Sequence, residues 1–153
     1  MARGPEHALA GAFMGGLVAA RKAQSPLTSN PLAEVVGGTL GGWAFGRLPD
    51  RIEPALSPRH RGPAHAVAPV GAGSYWVGEK LDDMQEWCRQ RAQGCAARAA
   101  SAIDALVKVA WQLAESFWYF AAGFVAGALA GYVSHILLDC FTPGGLPLLG
   151  LTR

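Results

Sequence analysis

Apolar residues occur in long runs along this chain, and the first run sets the pattern. Residues 8–20 contain no charged side chain and are closed by Arg21 and Lys22. A run of 13 residues is shorter than the roughly 20 that a membrane-spanning helix needs. Glu6 and His7 directly precede it, and no clear small-x-small cleavage site precedes the basic pair, which argues against a signal peptide. We therefore predict a helix of the mature chain, immersed in a membrane at one end.

The next segments alternate between apolar helix and polar turn. Residues 25–31, SPLTSNP, have turn chemistry, and residues 32–46 predict a second, Gly-rich helix interrupted only by Glu34. Residues 47–63 are different, because they hold four prolines, four arginines, two carboxylates and a histidine. This composition predicts a polar Pro-rich loop rather than a regular helix or central strand. It is also the natural place for chemistry in so apolar a chain.

The second half of the chain predicts long helices. Residues 64–78 are apolar, but Pro69 and three glycines make a straight helix doubtful there. Apolar residues then recur every three, four or seven positions over 79–117, which predicts a long amphipathic helix with one wet face; if the chain is a non-catalytic interaction protein, this helix would supply the partner surface. Residues 116–138 carry no charge and begin with aromatic residues, so they are long enough to span a bilayer. A helix buried in a compact bundle fits this segment as well.

Glycines recur at four-residue spacing within three of the predicted helices. In apolar helices this small-xxx-small pattern allows close helix contact, either within one chain or in a homo-oligomer. The series are Gly11 and Gly15, Gly37 and Gly41, Gly38, Gly42 and Gly46, and Gly123, Gly127 and Gly131.

Composition narrows the class of protein. Only 16% of the residues are charged, against roughly a quarter in ordinary domains, while 51% are hydrophobic. The net charge of +2 and the scattered arginines argue against nucleic-acid binding. The three cysteines show no metal-binding spacing, and we interpret them as reduced packing residues. We predict one all-α domain, residues 1–153, built as a membrane-embedded helical bundle.

The histidines are the candidate chemistry. His135 and Asp139 are four residues apart on a predicted helix, so their side chains lie on one face and can converge on one ion. His60 and His65 flank a turn that would bring two imidazoles together. Such His and Asp clusters suit zinc or another divalent transition metal, which lowers the pKa of a bound water to about 7. Taken alone, the pair at the end of the apolar run is more typical of a capped or hydrogen-bonded helix end.

Four sequence blocks resemble a known family. EHALAG, LPDRIEP, HRGPAH and GYVSHILLDCFTPGGLPLLG, in this order, resemble the YdjM-like family of inner-membrane proteins, which are described as metal-dependent hydrolases and as LexA-binding. The last block is the most specific of the four. The matching blocks extend from residue 6 to residue 150, although residues 66–130 match only in being apolar and helical.

The resemblance implies a helical protein of the bacterial inner membrane with a divalent-metal centre near the membrane surface. Arg61 and Gly62 would shape the loop between the two loop histidines, and Ser134 and Thr142 would hydrogen-bond the ligands. The candidate metal ligands carried over by position are His7, Asp50, His60, His65, His135 and Asp139.

The sequence departs from the family pattern at three places. Ile52 stands where the family has a second aspartate, with Glu53 beside it, and Ala64 and Ala66 replace the hydroxyl residues that flank the loop histidine. The usual Leu-Leu-Trp-Pro ending is here Leu-Leu-Gly at 148–150. These differences bear on catalysis more than on the metal site.

Two functions remain open. In the first, a zinc centre hydrolyses an ester or phosphoester of a membrane lipid or lipid-linked substrate; His60 moves a proton or completes the ligand shell, Arg61 stabilises negative charge, and Glu53 is a candidate general base. In the second, the chain is a non-catalytic membrane protein whose polar cluster is structural and whose glycine faces mediate helix association. Metal content separates the two.

Overall fold

The computed structural model describes residues 4–53 and 67–141, and this part of the chain is helical throughout apart from short connections. Two of the five helices are much longer than the others. In chain order they are α1 (Gly4–Lys22), α2 (Pro31–Phe45), α3 (Leu48–Ile52), α4 (Val67–Ser101) and α5 (Ala105–Cys140). The expectation of an all-α bundle is confirmed.

Local sequence explains where the helices begin. The Asn30 side chain accepts a hydrogen bond from the Ala33 amide at 3.1 Å, and Pro31 occupies the first turn of α2, where its missing N–H is not needed. Asp104 caps α5 in the same way, accepting from the amides of Leu106 at 2.8 Å and Val107 at 3.0 Å. The connections therefore contain the residue types that stop one helix and start the next.

Helix α2 lies between α1 and α5, and glycines form both contacts. A Cβ atom on Gly42 would collide with the backbone of Gly11, and a Cβ atom on Gly127 would collide with the backbone of Gly38. The helices therefore touch backbone to backbone, which confirms the close contact that the glycine spacing predicted. Since these glycines are buried within the chain, a homo-oligomer, which stays a prediction, would need another surface.

Helix α4 packs along α5. Trp87 and Trp118 meet edge to face with ring centroids 5.1 Å apart, and the Arg98 guanidinium lies 4.7 Å from the centre of the Trp111 ring. These aromatic contacts stabilise the pairing of the C-terminal half of α4 with the N-terminal half of α5.

Apolar side chains point outward on the two short Gly-rich helices. Leu9, Phe13 and Leu17 form an exposed stripe on α1, and Phe13 is 70% exposed. A second stripe on α2 consists of Leu32, Val36, Leu40 and Trp43. Glycine inside and large apolar residues outside is the arrangement expected when lipid surrounds a bundle. Among the described helices, α5 is the one long and apolar enough to cross a membrane by length and composition.

Three sequence predictions need correction. The helix predicted over 79–117 is two helices, because the chain breaks at 102–104 and Asp104 caps a new helix. Residues 48–52 form the short helix α3 inside the predicted loop; Pro49 is in its first turn, where proline is tolerated. Pro69 likewise lies in the first turn of α4, so it does not interrupt that helix.

A buried ion pair joins the start of α2 to α4. Arg89 donates from Nε to Glu34 Oε1 at 2.9 Å and from Nη2 to Oε2 at 2.7 Å. The Thr28 hydroxyl also donates to Oε1 at 2.7 Å, and Arg89 Nη2 donates to the Lys22 carbonyl at the end of α1. We call these four residues the Glu34–Arg89 cluster.

Candidate metal centre

Two helices from opposite ends of the sequence bring three metal-ligand side chains together. His7 is in the first turns of α1, and His135 and Asp139 are in the last turns of α5. All three are buried, with 2%, 0% and 4% of their surface exposed. One ligand atom from each lies within 4.8 Å of the other two. We call these three residues the His/Asp cluster.

Close glycine contacts explain why these residues meet. Helix α1 runs antiparallel to α5, and Gly11 and Gly131 both lie against the backbone of Gly42 on the intervening helix. A Cβ atom on Gly131 would stand 2.7 Å from the Gly42 Cα, which real Cβ atoms do not approach. Without side chains at these positions, His7 and His135 approach until their rings stack with centroids 3.8 Å apart.

A backbone carbonyl fixes the orientation of His135. Its Nδ1 lies 2.7 Å from the carbonyl oxygen of Gly46, just past the end of α2. Because a carbonyl only accepts, Nδ1 carries the proton in this contact and Nε2 is left as the ring's acceptor atom. Histidines that bind metals are usually held in this way, with the second nitrogen donating to a carbonyl or carboxylate.

The distances within the cluster are longer than hydrogen bonds. His7 Nε2 lies 3.5 Å from Asp139 Oδ1, and His135 Nε2 lies 3.7 Å from Asp139 Oδ2. Ligands at 2.0–2.1 Å from a tetrahedral zinc are about 3.3 Å from each other. The separations therefore resemble those between atoms that share an ion more than those between hydrogen-bonded partners.

Asp50 adds a fourth ligand-type group at the edge of the cluster. Its Oδ1 lies 3.6 Å from His135 Nε2, and 32% of its side chain is exposed. Helix α3 supplies it, and buried Pro49 sits beside it at the start of that helix. Asp50 therefore lies at the solvent-accessible edge of the buried cluster.

Two further features favour a cation at this place. Asp139 is a buried carboxylate in the last turn of α5, where the partial negative charge of the helix end opposes another negative charge. His7 Nδ1 is buried without a hydrogen-bond partner among the described residues. Burying such groups is costly, and a coordinated cation would offset the cost at Asp139. The residues present thus fit a divalent metal ion.

Several predicted site residues are not among those that the structure describes. His60, Arg61, His65 and the neighbouring Gly62 are outside the described residues, as is Thr142. Glu53 is half-buried just past α3 and lies near Tyr132 of α5.

Ser134 does not have the predicted role of bonding a ligand in this structure. Its hydroxyl donates to the Gly131 carbonyl at 2.8 Å, inside its own helix. Sequence reasoning missed the Gly46 carbonyl as the partner of His135. The sequence signal for it was Gly46 itself. It is the last of the three glycines Gly38, Gly42 and Gly46, which recur every four residues and bring the end of α2 against α1.

Comparison with known proteins gives one finding. Neither a search of curated proteins nor a search of solved structures found a match to the chain. The family described as YdjM inner membrane protein matches residues 1–150, nearly the full sequence. The chain therefore belongs to the YdjM family, and it is a protein of the bacterial inner membrane.

Proposed function

We propose that the chain is a membrane-bound metal-dependent hydrolase whose His/Asp cluster holds a divalent ion, with zinc expected. One observation carries the proposal: three buried ligand-type side chains converge within 4.8 Å. Supporting it, His135 already presents one ring nitrogen with the other bonded to Gly46. The expected reaction is hydrolysis of an ester or phosphoester.

His7, His135 and Asp139 would hold the metal, and Asp50 is the fourth candidate ligand. When bound, such an ion polarises a carbonyl or phosphoryl oxygen and makes water nucleophilic near neutral pH. His60 and His65, which are outside the described residues, are further candidates from the sequence that follows α3.

Asp50 is the candidate proton acceptor among the described residues. Its carboxylate is partly exposed and lies 3.6 Å from His135 Nε2, so water can reach it at the edge of the cluster. A carboxylate in this position can accept a proton from an attacking water. Glu53, three residues further along, is the second candidate for this role, and Arg61 remains the candidate for stabilising negative charge.

A panel of ester and phosphoester substrates tests the proposal. We expect turnover that a chelator abolishes and added zinc restores, and that His135→Ala reduces by at least 100-fold. Asp50→Asn should lower kcat while retaining metal if Asp50 accepts the proton. Asp83→Asn, which changes an exposed carboxylate on α4, is the control and should leave turnover unchanged. Absence of turnover that depends on metal and on His135 would contradict hydrolase activity.

A structural metal centre is the second candidate function. The observation that favours it is the near-complete burial of His7, His135 and Asp139, because a catalytic metal keeps an open position for water or substrate. In this case removing the metal would lower stability, and no substrate of the panel would be turned over.

A further inference from the structure

An apolar groove runs along α5 toward the end of that helix that carries His135 and Asp139. It has a volume of about 640 Å³ and lies between α1, α4 and α5. Its floor extends from Val125 to Phe141, a length of about 24 Å at 1.5 Å per residue. Ligand sites typically measure roughly 300–1,000 Å³, so the groove is large enough for a long hydrocarbon chain.

The two ends of the groove differ in chemistry. At one end Lys22 of α1 pairs with Asp82 of α4, and both line the groove. At the other end it is lined by Ser134 and Leu138, which directly precede His135 and Asp139 in sequence. Between these ends the lining is apolar. The lining between the two ends therefore suits a long apolar chain.

The wall formed by α1 continues from the cluster. Ala10 and Met14 line the groove and follow His7 by three and seven residues, so all three lie along one side of α1. On α5, the stripe of Ser134, Leu138 and Phe141 is next to the stripe that carries the two ligands. A ligand whose polar group lies at this end of the groove would therefore have that group near the His/Asp cluster.

We propose that this groove binds an acyl chain of a membrane phospholipid and directs its ester or phosphoester bonds to the His/Asp cluster. Two observations favour a phospholipid: the location of the protein and the length of the groove. The chain is an inner membrane protein, so phospholipid surrounds it, and the groove is longer than the roughly 15 Å of one hydrocarbon leaflet. The inference deepens the proposed hydrolase function, which it takes as its basis for the substrate class.

Filling the groove provides the test. Val133 lines the groove, whereas Val36 is on the exposed stripe of α2. Val133→Trp should fill the groove, and Val36→Trp adds the same volume to a lipid-facing surface. Equal metal content in both variants and in the unaltered chain would show that the cluster is intact.

Native mass spectrometry and photolabelling measure the binding. We expect about one phospholipid retained per unaltered chain after detergent purification. A phospholipid with a diazirine in its acyl chain should label residues 125–141 in the unaltered chain, and Val133→Trp should reduce that labelling at least fivefold, whereas Val36→Trp should not. Equal labelling of the outer α1 and α2 stripes and the groove, unchanged by Val133→Trp, would overturn the proposal. Retention of an isoprenyl lipid instead would also overturn it.

Two substrates separate this inference from the proposed function. Val133→Trp should lose at least tenfold in turnover of a long-chain phospholipid and retain turnover of a short-chain, water-soluble ester or phosphoester. If Val133→Trp lost turnover on neither substrate, the groove proposal would be overturned and the proposed hydrolase function would stand. Specific groove labelling without any turnover would support lipid binding and contradict the hydrolase.

Discussion

The two buried polar clusters of this bundle are built from similar charges but in opposite ways. They are about 18 Å apart along α5, since Gly123, which contacts Glu34, is 12 residues before His135. In the Glu34–Arg89 cluster, both carboxylate oxygens accept hydrogen bonds of 2.7–2.9 Å. In the His/Asp cluster, the two histidine Nε2 atoms lie 3.5 and 3.7 Å from oxygens of Asp139, and the buried Nδ1 of His7 has no hydrogen-bond partner among the described residues.

This difference indicates that the Glu34–Arg89 cluster stabilises the fold and that the His/Asp cluster is suited to bind an ion. A fully bonded ion pair leaves no capacity for a ligand, and its role is to tie α1, α2 and α4 together. The histidine nitrogens of the His/Asp cluster lie 3.5 and 3.7 Å from the Asp139 carboxylate, a spacing that suits an ion bound between them. Substitutions in either cluster should therefore have different effects on stability and on metal content.

Glu34→Ala should destabilise the protein by about 3–5 kcal/mol, because it leaves the Arg89 guanidinium buried without its partner. The unfolding free energy in detergent micelles measures this change. Glu86→Ala, an exposed carboxylate on α4, is the control and should change stability by less than about 0.5 kcal/mol. The metal content of the chains that do fold should stay unchanged. Metal loss from folded Glu34→Ala would show that the two clusters are not separate in function.

Added zinc should stabilise the unaltered chain by about 2.7 kcal/mol at a free concentration 100 times its Kd. Asp139→Asn should abolish this gain, because an amide oxygen is a much weaker ligand for the ion than a carboxylate oxygen. Asp82→Asn is the matched control and should keep the full response to zinc. Thermal unfolding with and without chelator measures the effect. An unaltered zinc response in Asp139→Asn would exclude Asp139 as a ligand.

Gly127→Ala should cost about 1–3 kcal/mol and disturb both clusters, because its Cβ would meet the Gly38 backbone. Gly94→Ala is the control, since no atom lies within 4 Å of a Cβ at that position, and it should stabilise α4 by about 0.5–1 kcal/mol. Unfolding free energies of the two variants test the glycine contacts. Equal effects at the two positions would contradict backbone-to-backbone packing.

Asp104→Ala should cost about 1 kcal/mol through loss of the α5 cap, and it should change neither metal content nor the Glu34–Arg89 cluster. The control is Asp83→Ala, an exposed carboxylate on α4 that does not cap a helix. Hydrogen exchange of the Leu106 and Val107 amides would locate the change. Unchanged exchange at these amides would contradict the cap.

Local patterns predicted most of the fold. The glycine spacing predicted close helix contacts, and the apolar runs predicted α1 and α2 to within a few residues. The break at 102–104 was missed because the apolar periodicity continues across it, so only Asp104 signalled a new helix. Apolar periodicity therefore predicts which face of a helix is buried better than it predicts where the helix ends.

The candidate site was predictable only in part. His135 and Asp139 are four residues apart, so their convergence follows from helix geometry alone. His7 is 128 residues before His135, and its inclusion came from the family resemblance because no local pattern joins the two. The Glu34–Arg89 pair was missed for the same reason, since its members are 55 residues apart.

Metal content of the purified protein tests the central claim most directly. Protein prepared without chelator should contain about one divalent metal ion per chain, and His7→Ala, His135→Ala and Asp139→Asn should each lose it while circular dichroism shows the helices intact. The Glu34→Leu/Arg89→Met double variant, which removes the other cluster as a pair, should keep its metal. Absence of metal from the unaltered chain, or its survival in all three single variants, would contradict the account.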